Sequence, residues 1–244
     1  NNAVAAYGVI ANIALVGKVF VSSVTDEYAV KSIFLTVKVT VITVIINSVF
    51  GIFAAWLITR FKFRGKKLIS TLIDLPLTIS PIIAGLIFVL TFGRQSAIYP
   101  FLEKWGIQII FAVPGIVLAT IFVTFPFISR EIIPVLTVKG TDEEEAAALM
   151  GSNGFQIFTQ ITFPHIRWAF LYGVVLCSAR AMGEFGAVSV LSGHLRGITN
   201  TMPLYIELLY QAFDFTGAFA MSAILVVMAL VILVLKNIFE KSME

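Results

Sequence analysis

The sequence predicts an all-α fold, a polytopic bundle of transmembrane helices forming one membrane domain over residues 1–244, and three observations predict it. The first is composition: of 244 residues, 59% are hydrophobic and only 13% are charged, with a mean hydropathy of +0.97. A soluble core of this size has no room for so many apolar side chains. The second is that the apolar residues gather in runs of roughly 20 or more, the length that carries a helix across the roughly 30 Å hydrocarbon layer. The third is a polar stretch between two such runs, Thr141 to Ile166, whose helix-capping signals and charges place it outside the bilayer.

The elements follow in chain order. The opening NNAVAAYGVIANIALVGKVF is apolar but short and carries Lys18. It reads as the remnant of a first span, with an interfacial helix or a cleaved signal peptide as alternatives. Phe34 to Ile58 would extend over about 37 Å as a helix, enough to cross with some tilt. Lys38, near one end of that run, can snorkel to the interface. Further spans are expected at Leu72 to Phe92, Ile109 to Ser129, Ile166 to Leu191 and Gly217 to Lys236, giving five complete crossings plus the partial N-terminal one. Asp74, Pro76, Ser80 and Pro81 put helix breakers early in the second of these, and Pro114 and Pro126 punctuate the third. Such breaks free backbone groups that must face protein or water, so Ser80 and Pro81 are candidates for a translocation path, with simple proline kinks as the alternative.

Charge sets the orientation. Arg60, Lys62, Arg64, Lys66 and Lys67 crowd the first hairpin loop, whereas the next loop carries only Arg94 and Lys104, and the loop after Leu191 only Arg196. The first loop is therefore expected on the cytoplasmic side, and alternation puts the Thr141 elbow and the tail after Lys236 there too. The net charge of +3 and pI near 9.0 come largely from this cluster, which suits anionic lipid headgroups and not nucleic acid.

The elbow, residues 141–164, is the most structured polar segment. Thr141 with Glu144 fits a capping box, and Asp142, Glu143 and Glu145 put negative charge at the positive end of the helix dipole. Ala146, Ala147 and Ala148 favour a helix with a face another backbone can approach, and Gly151 supplies a left-handed exit after about two turns. Asn153 with Gln156 repeats the cap for a second short helix, in which Phe155, Ile157, Phe158 and Ile161 precede Pro164.

Glu145-Ala146-Ala147, Gly151, Ile161 and Pro164 resemble, in register, the EAA motif of the permease subunits of ABC importers. The resemblance runs from about Ser32 to Lys236, and the segments IIFAVPGIVLAT, FVTFPFISREIIP, ARAMGEFGAVSVLSGHLRG and TNTMPLYIE are most similar to the W-type permeases of sulfate/thiosulfate importers. That resemblance implies the type I ABC importer permease fold. It further implies that Glu145, Ala146, Ala147, Gly151, Phe155, Ile161 and Pro164 form a coupling helix docked on a cytoplasmic ATPase. The implied partners are an ATP-binding subunit dimer that hydrolyses ATP with Mg, a second, T-type permease completing the path, an extracytoplasmic sulfate-binding protein, and membrane lipids. Molybdate permeases share a similar ARA-x-GEFGA core and give the alternative substrate. An ordinary surface-lying amphipathic helix is the alternative for the elbow, but such helices are usually basic and this one is acidic.

Little catalytic chemistry is present. No G-x-x-x-x-G-K-[ST] phosphate loop occurs, so the chain is not expected to hydrolyse ATP or to hold a cofactor of its own. His165 and His194 lie in different segments with no carboxylate or cysteine at ligand spacing, and Cys177 is a single thiol in an apolar span, so neither a metal site nor a catalytic residue is expected. Arg180 and Glu184, four residues apart, read as sharing one helix face inside the membrane, and with Ser189 they are candidates for lining or gating an anion route. A structural ion pair that fixes helix packing is the alternative. The stretch SGHLRGITNTMPLYIELLYQAFD is too broken to cross, and His194, Arg196 and Asn200 in it are candidate contacts for a binding protein, with a surface loop and an interfacial helix anchored by Tyr205 and Tyr210 as the alternative. A stand-alone secondary transporter would show inverted repeats or many intramembrane ionisable groups, and a membrane enzyme a catalytic cluster; neither pattern appears.

Overall fold

The computed structural model describes residue 17 and residues 20–241, and the regular structure among them is helical throughout. The partial N-terminal span expected ahead of residue 20 lies outside the described residues.

Helix α1, Glu27–Arg60, is 34 residues and so about 51 Å long. It starts where the Asp26 carboxylate accepts hydrogen bonds from the Tyr28 and Ala29 N–H groups, and it ends where Phe61 turns extended. One face is small and polar, with Ser32, Thr36, Thr40, Thr43, Asn47, Gly51 and Ala55 buried, while Phe34, Ile45, Val49 and Phe53 stand exposed on the other. That inversion of the soluble pattern is what lipid demands, because small residues let helices approach while large apolar ones meet acyl chains.

The sequence run Leu72 to Phe92 is not one helix. It divides into α2, Lys66–Thr78, and α3, Pro81–Phe92, which meet at 110°. Pro76 is carried inside α2, and the break falls at Ser80, with Pro81 opening α3 where its missing N–H costs nothing. The 12 residues of α3 reach about 18 Å, too short to cross alone. After the short α4, Tyr99–Lys104, the third helical run carries Pro114 in its first turn rather than being kinked by it. Helix α5, Val113–Thr124, passes through Phe125 into α6, Pro126–Lys139, so this span continues well beyond Ser129.

The elbow contains α7, Asp142–Leu149, and α8, Gly154–Ile157, followed by a π turn at Phe158–Thr162 that leads into α9, Phe163–Met182. Pro164 therefore does not close the elbow helix, as the sequence suggested. In the π turn the Phe163 N–H reaches back five residues to the Phe158 carbonyl, and this wider turn carries the proline into α9 without a stop. The run Ile166 to Leu191 is also interrupted, at Gly183–Phe185, and resumes as α10, Gly186–Ser192, bent by 50°. Helix α11, Met202–Gln211, and the long α12, Phe215–Lys241, are the last of the described helices. Among the described residues, three helical stretches are long and apolar enough to cross a membrane, and five if each bent pair counts as one span.

Glycines set the closest packing. A Cβ on Gly51 would lie 2.9 Å from Ile128 Cβ, and one on Gly173 would lie 2.9 Å from Ile128 Cα, so α1 and α9 both close on α6 at that isoleucine. Above it, Asn47 Nδ2 donates to Thr124 Oγ1 at 2.8 Å and lies 3.8 Å from Cys177 Sγ, joining α1, α5 and α9 in a buried polar knot. Cys177 is thus a packing residue. Two contacts fix the ends of the bundle. Arg60, at the C-terminal end of α1, bonds the elbow, and Asp26, at its N-terminal end, accepts a hydrogen bond from the Tyr205 hydroxyl of α11 at 3.0 Å. The basic first loop and the elbow therefore share one end of the molecule, as the charge pattern required.

Candidate coupling and translocation sites

At the elbow, two of the local signals in the sequence form as expected. The Asn153 N–H donates to Gln156 Oε1 and the Gln156 N–H to Asn153 Oδ1, both at 2.9 Å, closing a capping box. Helix α7 ends in a Schellman motif: the Ser152 N–H donates to the Ala147 carbonyl and the Gly151 N–H to the Ala148 carbonyl, each at 3.0 Å, with Gly151 at φ +92°. A side chain at Gly151 would meet open space, so the position needs glycine for its backbone angle alone.

The Thr141–Glu144 capping box does not form. Thr141 Oγ1 donates instead to Glu145 Oε1 at 2.7 Å, and Glu144 turns inward. Its Oε1 accepts from Arg60 Nη2 and from Thr162 Oγ1, both at 2.8 Å, while Arg60 Nη1 donates to the Leu136 carbonyl at 3.1 Å. The carboxylate turns to Arg60 because the guanidinium brings an opposite full charge as well as a donor, in a site largely withdrawn from water, whereas a backbone N–H brings a donor alone. Arg60 is consequently not a headgroup-facing charge; its side chain is 9% exposed. His165 Nε2 lies 3.3 Å from Glu143 Oε2, a second tie between α9 and the acidic turn.

Of the motif residues, Ala147 is buried and Ile161 half-buried, whereas Glu145, Ala146, Gly151, Phe155 and Pro164 are exposed. The tip presents large apolar side chains to solvent: Leu149 is 90%, Met150 81% and Phe155 77% exposed. Contiguous exposure of this kind outside a lipid face marks a contact surface. Beside the elbow, a groove of about 760 Å³ runs between Val49, Phe53 and Trp56 of α1 and Ala148, Ile157 and Phe158 of the elbow.

The second candidate site lies at the α9–α10 break. Arg180 Nη1 is 2.6 Å from Glu184 Oε2, and the Glu184 side chain is 1% exposed against 34% for Arg180. The pair does not share a helix face, as the sequence suggested, because α9 has ended at Met182 and Glu184 stands in the break. There its Oε1 accepts the Ala187 N–H at 2.9 Å and so caps α10. The structure brings Pro81 to the same place: a Cβ on Gly186 would lie 2.9 Å from Pro81 Cβ, and one on Gly85 2.8 Å from the Ala187 carbonyl. Ser80 is exposed at the α2–α3 corner, and Ser189 Oγ donates back to the Gly186 carbonyl at 2.9 Å. The α2–α3 corner and the α9–α10 break are therefore one joint.

The third candidate set divides. His194, at φ +53°, and Arg196 are exposed, and Arg196 borders a polar cleft of about 460 Å³ with Asp26, Tyr205 and Asp214. Asn200 does not belong to that surface. It is 2% exposed, held inside the loop that folds back when Thr199 Oγ1 donates to the Ser192 carbonyl at 2.7 Å. Tyr205 is likewise buried and is no interfacial anchor; burial and the Asp26 carboxylate push its phenol up to about 12. Tyr210 is exposed.

With this geometry in view, comparisons with known proteins agree with one another. A family model described as "Binding-protein-dependent transport system inner membrane component" matches residues 47–244. The chain is 48% identical over 222 residues to the "Sulfate transport system permease protein CysW" of Escherichia coli (strain K12), covering 91% of this chain and 76% of that one. Identity to the protein of the same name from Synechococcus elongatus is also 48%, over 221 residues, 91% of this chain and 77% of the relative. A "Probable sulfate transport system permease protein cysT" of Prototheca wickerhamii is 36% identical over 214 residues, 87% of this chain and 83% of the relative. Among solved structures, a chain of a bacterial ABC transporter that imports alginate superimposes with a TM-score of 0.77 at 20% identity, covering 93% of this chain and 83% of that one, which speaks for the fold.

Proposed function

The chain belongs to the family of binding-protein-dependent transport system inner membrane components, and from that premise we propose that it is the transmembrane permease subunit of an ATP-driven ABC importer for sulfate, forming half of the translocation path. The observation that carries the substrate is the 48% identity across 91% of the chain to sulfate permeases. The relatives described above favour sulfate over molybdate; thiosulfate would enter as a competing tetrahedral anion.

In this proposal the elbow is the cytoplasmic coupling helix. Its support is the exposed tip of Leu149, Met150 and Phe155 on a segment made rigid by its own caps. An ATP-binding subunit dimer hydrolyses ATP with Mg and presses on that tip. The elbow passes the movement to α6 and α9, and the bundle switches between inward- and outward-facing arrangements. A second, T-type permease supplies the other half of the path, an extracytoplasmic sulfate-binding protein delivers the anion near His194 and Arg196, and the basic loop meets anionic lipid. At the joint, Arg180 offers attraction along the path, and Glu184 offsets it so that the anion leaves. Uptake of radiolabelled sulfate by the reconstituted assembly, competed with thiosulfate and molybdate, tests the whole. ATP-dependent uptake suppressed by excess thiosulfate and not by molybdate is expected; no sulfate uptake by an assembled complex would overturn it.

A further inference from the structure

We infer that Arg60 is the positioning residue through which the elbow moves α1, an inference that rests on the ATP-driven reading above. The covalent links of the elbow's first helix give it no direct route to α1: α7 is joined to α6 through Gly140 at φ +67° and to α8 through Gly151 at φ +92°. Apolar packing holds it weakly as well, since Ala147 is the buried residue of α7. The Arg60–Glu144 ion pair bypasses both glycines. Its guanidinium fork reaches the Leu136 carbonyl in the last turn of α6 with Nη1 and the Glu144 carboxylate in the first turn of α7 with Nη2. The same carboxylate oxygen takes the Thr162 hydroxyl from the π turn that opens α9.

Four segments thus meet at one ion pair, and one of them, α1, enters from 84 residues away. Both partners are largely withdrawn from water, at 9% and 16% exposure, so the pair is little screened and its geometry is fixed. A displacement of α7 must then either carry the end of α1 with it or leave a charge unpaired in a site that water barely reaches. Lysine cannot replace the arginine, because a single ammonium does not span a carbonyl and a carboxylate as two arms of a planar fork do.

The test uses the full complex in proteoliposomes, with sulfate uptake and ATP hydrolysis measured in parallel. Arg60→Lys and Glu144→Gln should each raise the ATP hydrolysed per sulfate carried by about tenfold while hydrolysis itself changes by less than about twofold. Thr162→Val removes one of the two bonds to Glu144 Oε1 and should raise the ratio by a smaller factor, which keeps the question open to measurement if either charge variant fails to assemble. An unchanged ratio in the variants that assemble, or uptake and hydrolysis falling together in proportion, would overturn the inference. Absence of ATP-dependent uptake in the unmodified complex would instead overturn the functional reading beneath it.

Discussion

The two polar interruptions of this apolar chain are built in opposite ways. At the elbow, backbone and side-chain caps close within a few residues of one another, and the large side chains of the tip face outward. At the α9–α10 break, the polar group is a carboxylate sealed at 1% exposure, and the bend is held by contacts with α3, on a different part of the chain. The first is a rigid body that carries its stability with it; the second is a joint that exists because a neighbour fills it. Under the proposed function the elbow is the segment that is pushed and can be self-contained, whereas a segment inside lipid must satisfy every polar group against protein.

This contrast breaks most readily at the joint. Glu184→Ala leaves Arg180 without its partner and the Ala187 N–H uncapped, and should cost about 3 kcal/mol, read as a lower thermal midpoint of the detergent-purified complex. Gly186→Val drives a Cβ into Pro81 and should cost about 2 kcal/mol with uptake reduced in step. An unaltered midpoint for both would mean that α3 and α10 are not held by each other. The elbow should behave differently. Gly151→Val meets no neighbour, so its cost of about 1–2 kcal/mol is backbone strain alone; Gly151→Asn, which tolerates the left-handed region, should recover most of the uptake lost by valine. Phe155→Ala should change stability by less than about 0.5 kcal/mol yet weaken capture of the ATPase subunits in a pull-down. A Phe155 variant that unfolds the complex without weakening that capture would erase the distinction between tip and joint.

The same contrast explains what could be read from the sequence. The Asn153–Gln156 box and the Gly151 exit were legible because both partners of each bond lie within six positions and compete with nothing distant. The basic first loop and the elbow were placed at one end of the bundle by charge alternation, and the contact between Arg60 and Glu144 agrees. That very contact undid the Thr141–Glu144 box, since no local pattern reveals an arginine 84 residues upstream. The break at Ser80–Pro81 was legible from its helix breakers, but its 110° angle was not, and the bend at Gly183–Phe185 was hidden: apolar composition records the preference for lipid and is silent on direction. Glycines in ARAMGEFGA signalled close contact, yet which backbone approaches them is a property of the fold. Asn200 was misplaced because polarity was taken for exposure, and the loop folds it inward.

The π turn at Phe158–Thr162 has a further consequence. It holds a surplus residue relative to an ordinary helical turn, so removing one position, Gln160 for example, would let the turn close into regular helix, whereas the same deletion within α9 would rotate everything ahead of it by about 100° around the axis. The compass bearing of the Leu149–Phe155 tip is therefore a matter of arithmetic as much as of chemistry, and the loss of one residue should be tolerated more readily at this turn than further along α9.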